Sequence, residues 1–205
     1  MNTDFLKIDF DWELVKNCCR STVKKQFTEG EPSDSFKQQL LIAEHSPIRE
    51  LRIVWLWKAV KYWVSTEWSR HKFEKFITSQ RNDRQNDYDR NKAPQDAPVD
   101  LIGSANIQQM IDAWRKRLCF TATKEARGLA VNLKQWLFKK YPIESSVLVP
   151  HCVYRGGCSE MLNCGHYKRF LEWWESNSSE PIETSNILKR YSAYTQYFNI
   201  LEGDK

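Results

Sequence analysis

The chain contains 205 residues, of which 41% are hydrophobic and 28% are charged, and its formal net charge is +5 at pH 7. This composition is that of a globular protein. It excludes a mostly disordered chain and a membrane protein, because no run approaches the roughly 18 apolar residues of a membrane-spanning helix. The N-terminus carries acids and no long apolar run, so we expect no secretory signal and predict a cytoplasmic protein.

The basic residues are spread along the chain rather than gathered in one tail. A mild positive charge of this kind suits a ligand that carries phosphate, and it does not favour nucleic acid as the partner. Neither feature indicates a membrane partner.

The first elements are predicted from hydrophobic periodicity. Phe5, Ile8 and Phe10 alternate well enough for a strand, which runs into a helix through Asn17. The stretch "PSDSFKQQLLIAEH" predicts a second helix, capped by Ser33 or Ser35 and stopped by Pro47.

A central strand is predicted in "IRELRIVWLWKA". Leu51, Ile53, Trp55 and Trp57 fall on one face of this strand, and the other face is apolar too, which is typical of a strand with neighbours on both sides. The apolar spacing then lengthens, which predicts a helix from Val60 into the basic triplet Arg70-His71-Lys72.

Residues 81–100 contain one aromatic residue and nine charges, so we predict a loop or linker there. Ser104 can then cap a helix, and a second helix ends before Pro142. The inner faces of these two helices are predicted to carry Ile107, Met110, Ile111, Trp114 and Leu118, and Ala126, Leu129, Leu133, Trp136 and Leu137. A cysteine-rich turn region, an amphipathic helix around "HYKRFLEWWES" and a tail complete the chain.

The triplets Arg70-His71-Lys72 and Ser79-Gln80-Arg81 offer charge-assisted donors for a phosphate or a pyrimidine carbonyl. A solvated, basic helix end explains the same residue types. With seven glycines and no G-x-S-x-G turn, the chain has no serine hydrolase signature, Walker loop or Rossmann fingerprint. A nucleotide would therefore bind through side chains.

Cysteines and histidines gather in "HCVYRGGCSEMLNCGH". Cys152, Cys158 and Cys164 follow at even intervals between His151 and His166. Ligands of structural zinc sites usually lie two to four residues apart, so this spacing is wide. We expect no metal and favour reduced cysteines around a glycine turn, with zinc left open as the alternative.

The stretch "EWSRHKFEKFITSQR" resembles the signature of the flavin-dependent thymidylate synthases, in which Arg-His-Arg precedes a Ser-x-Arg element. Three further stretches are similar in the same order. They are "CCRST", "AEHSPIRE" at 43–50 and "ANIQQMIDAWRKRLCFTATKEAR" at 105–127. The resemblance covers residues 18–142.

The chain also departs from the family pattern. Lys72 stands for the third basic residue of the triplet, Glu67 for a common Gln and Asn82 for a common Tyr, and the interval to Ser79 is one residue shorter. The family has a long helical excursion here that carries another nucleotide-binding Arg. In this chain the polar linker 82–103 replaces it.

The resemblance implies an α+β fold, with a central, mostly antiparallel sheet flanked by helices and assembly as a homotetramer. It implies a catalytic domain at 1–142, followed by a C-terminal extension at 143–205 with the Cys/His turn and a helix. The implied enzyme transfers a one-carbon unit from methylenetetrahydrofolate to a dUMP-like nucleotide, with FAD as cofactor and NADPH as co-substrate.

Site residues are carried over position by position from the resemblance. Arg117 is implied as the catalytic residue that favours ionisation of the pyrimidine ring, and Arg49, Gln108 and Asp112 replace different family residues. The implied flavin-site residues are Ser21, Ser46, Arg49, Arg70, His71, Lys72, Asn106, Gln108 and Asp112. The implied nucleotide-site residues are Glu67, Trp68, Ser79, Gln80, Arg81 and Arg117.

Three alternatives stay open at this point. A related enzyme could make another pyrimidine modification, such as a hydroxymethylated base. A catalytically silent protein could keep the scaffold and bind nucleotide or nucleic acid. Arg155, in the glycine turn, is predicted to replace the missing phosphate-binding Arg, against the alternative of an exposed Arg on a structural turn.

Overall fold

The computed structural model describes residues 3–85, 88–183 and 185–202, and its centre is a four-stranded sheet. The strands are β1 (Thr3–Asp9), β2 (Arg52–Lys61), β3 (Glu74–Ile77) and β4 (Pro98–Asn106), in the spatial order β1-β2-β4-β3. Every neighbouring pair is antiparallel. The predicted α+β class with a mostly antiparallel sheet flanked by helices is confirmed.

Helices surround this sheet. They are α1 (Trp12–Thr22), α2 (Asp34–Ile42), α3 (Tyr62–Ser69), α4 (Ile107–Arg117), α5 (Lys124–Lys140), α6 (Pro142–Ser146), α7 (His151–Arg155), α8 (His166–Asn177) and α9 (Ile187–Glu202). A short 3-10 helix, Ser46–Glu50, joins α2 to β2. Ser33 caps α2 as predicted, since its hydroxyl accepts from the Phe36 backbone N–H.

Strand β2 lies between β1 and β4, as the two apolar faces predicted. Ile53, Trp55 and Trp57 on one face are almost completely buried. Trp55 lies directly opposite Gly103 of β4, and a Cβ built on Gly103 would lie 2.2 Å from the Trp55 ring. Only glycine therefore leaves room for the indole at this position of the sheet.

The predicted linker is wrong in its last part, because Pro98–Asn106 forms strand β4. Ser104 lies within this strand and caps nothing, and the N-cap of α4 is Asn106. The alternation of Val99, Leu101, Gly103 and Ala105, all buried, is the signal for this strand. A proline at its start and a glycine in its interior obscure that signal.

The C-terminal region packs into the same hydrophobic core as the sheet. The predicted tail is wrong, because Ile187–Glu202 is helix α9, which buries Tyr194 and Phe198. Polar contacts also cross between the two predicted regions. The buried Trp12 indole donates to Glu144 Oε1 at 2.6 Å, and the buried Lys134 ammonium donates to the Ser145 carbonyl at 2.7 Å.

Among the helices of the described residues, we find none with both the length and the apolar character needed to cross a membrane.

Candidate functional site

The last residue of α4, Arg117, is held from three sides. Its Nε donates to His71 Nε2 at 2.7 Å, and its two terminal nitrogens donate to the Glu67 carboxylate at 2.9 Å and to the Glu67 carbonyl at 2.5 Å. The Arg117 side chain is 13% exposed. A guanidinium bound in this way is fixed in position and orientation. We call Glu67, His71 and Arg117 the arginine cluster.

The end of α3 positions the two partners of Arg117. Glu67 lies in the last turn of α3 and His71 follows four residues later, after Arg70 at the C-cap, so both face the same side. The His71 backbone N–H donates to the Trp68 carbonyl at 3.1 Å and keeps this turn helical.

Trp68 lies beneath the cluster and does not line an open surface. Its side chain is completely buried, and its ring packs against Trp57 and Trp114. The Arg117 guanidinium lies 5.7 Å from the ring centre. The indole supports Arg117 from below, and the expectation that Trp68 lines a nucleotide site stays a prediction.

His71 is neutral in the folded protein. Burial, with the positive charges of Arg117 and Lys75, lowers the pKa of His71 to about 4. Because Nε2 accepts the bond from Arg117, the proton of the neutral ring is assigned to Nδ1. Burial also lowers the pKa of Arg117, as does the neighbouring Arg70, while Glu67 opposes this shift.

The cluster leaves donors for a ligand. A guanidinium carries five N–H groups, and Arg117 uses three of them in contacts among the described residues, so two remain. Arg70 and Lys72 are exposed on the same turn and form no ion pair within residues 3–85, 88–183 and 185–202. This end of α4 is therefore a positively charged surface around one half-buried, oriented Arg.

Sequence reasoning missed Thr123, which completes the cluster. Its hydroxyl donates to Glu67 Oε2 at 3.0 Å, so the same carboxylate oxygen accepts from Thr123 and Arg117. Thr123 precedes α5 at the N-cap position but makes no side-chain cap bond. A threonine before a helix normally predicts a cap, so the sequence gives no signal for this other contact.

Two of the predicted flavin residues, Asn106 and Gln108, lie at the other end of α4, and a third, Asp112, lies at its midpoint. Asn106 closes a capping box with Gln109, in which both side chains bond to the partner's backbone N–H. Gln108 donates to Glu44 Oε2 at 2.6 Å, and Asp112 is exposed. Eleven helical residues separate this end from Arg117, which corresponds to about 16 Å.

Ser21, Ser46 and Arg49 lie near that same end, since the 3-10 helix packs against both α1 and α4. All three are exposed. Ser46 lines an open hollow of about 250 Å³ together with Cys19 and Thr22. Apart from Asp112, the predicted flavin residues thus form two groups in one chain, one at each end of α4.

The second triplet, Ser79-Gln80-Arg81, is not brought to the arginine cluster within one chain. It follows β3, whereas His71 precedes that strand, and the four strand residues span about 13 Å. Arg81 is exposed and forms a two-pronged ion pair with Asp83, at 2.9 and 2.6 Å.

Arg155 ends α7, where its Nε donates to His151 Nε2 at 2.8 Å. The residue is exposed, and no contact among the described residues joins it to the arginine cluster. Its role as a phosphate ligand stays a prediction.

No protein-family model matches the chain, and no curated protein matches it. Among solved structures, the fold is similar to the crystal structure of the flavin-dependent thymidylate synthase ThyX from Helicobacter pylori complexed with FAD and dUMP, with a TM-score of 0.55 and 14% sequence identity. The match covers 65% of this chain and 92% of that chain. At this identity, the comparison shows a related fold.

Proposed function

We propose that the protein is a flavin-dependent enzyme that transfers a one-carbon unit to a deoxyuridine monophosphate-type nucleotide, most simply a thymidylate synthase. The observation that carries the proposal is the half-buried, oriented Arg117 with two unused N–H groups. The similar fold of an enzyme complexed with FAD and dUMP supports it.

Arg117 fits the charge that such a reaction develops. A guanidinium stays protonated at neutral pH, so it stabilises negative charge on a pyrimidine ring without giving up its proton. Glu67 and His71 fix its plane before a ligand arrives, and preorganised donors of this kind lower a barrier most effectively. Because His71 is neutral, it adds no second positive charge that would repel Arg117.

The residues present also fit a flavin that carries phosphates. Arg49, Arg70 and Lys72 are exposed and without ion pairs among the described residues, so they can bind the phosphate oxygens. FAD, when bound, would supply hydride chemistry, with NADPH as the reductant and methylenetetrahydrofolate as the carbon source.

A homotetramer is part of the proposal. In one chain the two groups of flavin residues lie about 16 Å apart along α4. A site assembled from several chains would let each group contact a different part of the cofactor. Light scattering on the purified protein tests this, and a monomer at micromolar concentration would contradict it.

The test of the function is an absorbance spectrum followed by an assay. We expect purified protein to show a flavin band and to convert dUMP to dTMP with FAD, NADPH and methylenetetrahydrofolate. Product mass separates a methylated from a hydroxymethylated base. Protein that binds dUMP but neither flavin nor folate would reject the enzyme and favour the silent scaffold.

A paired variant tests the flavin residues. Arg70→Ala combined with His71→Ala should give folded but colourless protein, because the charge-assisted contacts to phosphate are lost. Arg84→Ala, which removes an exposed arginine from the loop after β3, is the matched control and should keep its flavin. Full flavin occupancy in the double variant would remove this turn from the cofactor site.

A further inference from the structure

A small cavity lies behind the C-terminal turn region and is lined by four cysteines and two histidines. The lining includes Cys119, Cys152, Cys158, Cys164, His151 and His166. Its volume is about 10 Å³, which is close to that of one water-sized sphere. The space therefore admits a single ion or water and no organic ligand. We call it the thiol cavity.

The fold brings these side chains together from distant positions. Cys119 follows the end of α4 and Cys152 lies on α7, which packs against α4. The loop that carries Cys158 and Cys164 begins and ends at glycines with positive φ, Gly156 at 72° and Gly165 at 71°. These two left-handed positions turn the loop back over the cavity. All six cysteines of the chain are free thiols.

His166 is an independent sign that the cavity lacks a partner. The residue is 1% exposed, and neither ring nitrogen has a hydrogen-bond partner among the described residues. Its ring stacks on Phe120 with centres 4.2 Å apart, so the imidazole is held in place by packing alone. A neutral imidazole has one donor and one acceptor, and buried polar groups are almost always paired.

Positively charged side chains lie around the cavity and favour thiolates in its lining. The guanidinium of Arg155 donates to His151 Nε2 at 2.8 Å. Arg127 lies 3.8 Å from the centre of the Phe120 ring that stacks on His166, and Arg169 donates to the Cys164 carbonyl at 3.1 Å. One acid, Glu160, also lines the cavity, and it is paired with Lys116 at 3.2 Å.

The four thiols of the cavity lie close to one another. Cys119, Cys152, Cys158 and Cys164 all line the same small space. Thiolates in such proximity repel one another unless a cation lies between them.

We propose that Cys119, Cys152, Cys158 and Cys164 bind one Zn²⁺ as four thiolates, and that His166 donates its ring N–H to one of the sulfurs. Four S–H bonds then lose their protons to solvent and four Zn–S bonds form, with no change of oxidation state. The product carries a net charge of −2, which the surrounding cations offset. A hydrogen bond from a neighbouring imidazole is a common support for a ligand.

The thiols must rotate inward to reach the ion. Among the described residues, no three His, Cys, Asp or Glu side chains already converge on a metal position. Zinc–sulfur bonds are about 2.3 Å long and tetrahedral, so the cavity would close around the ion.

Metal analysis of the full chain, purified without chelator or histidine tag, tests the proposal. We expect one zinc per chain by plasma mass spectrometry. Replacement by Co²⁺ should give the intense visible bands and the sulfur-to-metal charge-transfer band of a tetrahedral tetrathiolate site. Zinc-free protein whose four thiols react freely, or in which two of them form a disulfide, would overturn the site, as would a cobalt spectrum of oxygen and nitrogen ligation.

Single variants assign the ligands. Serine at any one of the four positions should reduce zinc content at least tenfold, and Cys18→Ser, in α1, is the control that should keep it. His166→Gln keeps a donor and should retain zinc, whereas His166→Phe should weaken binding about 10- to 100-fold. Full zinc content in Cys119→Ser, or complete loss in His166→Gln, would overturn the ligand set. Circular dichroism checks folding, and the wild-type cobalt spectrum decides the coordination where a variant does not fold.

Discussion

Two polar clusters lie two residues apart at the end of α4, and they differ in how their polar groups are satisfied. In the arginine cluster, Arg117 contacts both Glu67 and His71, and Glu67 in turn accepts from Thr123. In the thiol cavity, which begins at Cys119, the buried His166 has no hydrogen-bond partner for its ring among the described residues.

The comparison separates two kinds of site. The arginine cluster keeps its geometry without a ligand, which is what a preorganised catalytic or binding group requires. The thiol cavity lowers the stability of the fold, because its buried imidazole and its neighbouring thiols form no hydrogen bonds with one another. A bound zinc ion would satisfy these groups. Four predictions test this contrast.

Removal of zinc should have the largest effect on stability. A ligand that binds only the folded state at about 1,000 times its Kd stabilises that state by about 4 kcal/mol. Urea unfolding with and without a strong chelator should show a loss of about this size. In the absence of chelator, Cys119→Ser should be far less stable than the wild type. Addition of chelator should not change the stability of this variant. Identical unfolding curves of the wild type in both conditions would show that the cavity is stable when empty.

Arg117→Ala should have the largest effect on turnover. Loss of one preorganised donor typically costs about 3 kcal/mol of transition-state stabilisation, or on the order of 100-fold in kcat. Arg117→Lys should not restore the rate, since an ammonium cannot present a planar fork to Glu67 and a ligand together. Flavin and zinc contents should stay as in the wild type. A near-normal rate of Arg117→Ala would remove Arg117 from the chemistry.

His71 should make stability depend on pH. Its folded pKa of about 4 lies below the ordinary value of 6.5, so the unfolded chain binds a proton that the folded protein does not. Stability should therefore fall as the pH drops from 6.5 to 4. Because His71 is only partly buried, we expect a loss of about 2 kcal/mol or less.

The control for this titration is a second histidine. His71→Gln should reduce the slope of the stability profile between pH 6.5 and 4, where His166, whose pKa burial lowers to about 4, still contributes. His45→Gln, which changes an exposed histidine, should leave the profile unchanged. Both variants are compared by chemical unfolding at each pH. A profile of His71→Gln that matches the wild type would mean that other groups carry the dependence.

The sequence predicted elements well where periodicity and burial agree. Strand β2 alternates large apolar residues, and its central place followed from its two apolar faces. Strand β4 is not predicted, because Pro98 and Gly103 lower the apparent strand propensity. Gly103 is nevertheless required there, since only glycine leaves room for the Trp55 ring. Only a tail is predicted where helix α9 lies, because the resemblance ends near residue 142 and implies no further packing.

The two clusters also differ in how far the sequence predicts them. Glu67, His71 and Arg117 were named because a known pattern spans them, and the structure brings these three into contact. Cys119 was not grouped with Cys152, because the two lie 33 positions apart and spacing rules apply only to nearby ligands. Contacts between distant elements depend on the fold, which periodicity alone does not give.

The smallest effects come from two threonines, each of which contacts one cluster. Thr123 donates to Glu67 at 3.0 Å, and the Thr121 hydroxyl lies 3.1 Å from the Cys119 sulfur. Each contact is a single neutral or singly charged hydrogen bond near the surface, so each alanine variant should lose about 1 kcal/mol or less of stability.

What distinguishes the two variants is which cluster responds. Thr123→Ala loosens Glu67, so it should lower turnover a few-fold and leave the rate of zinc release to a chromogenic chelator unchanged. Thr121→Ala removes a hydroxyl that can donate to the Cys119 thiolate, so it should speed zinc release several-fold, since such outer contacts tune a ligand's hold on its metal. If both variants changed zinc release equally, the two clusters would form one coupled unit, and the contrast between a self-sufficient and an incomplete site would fail.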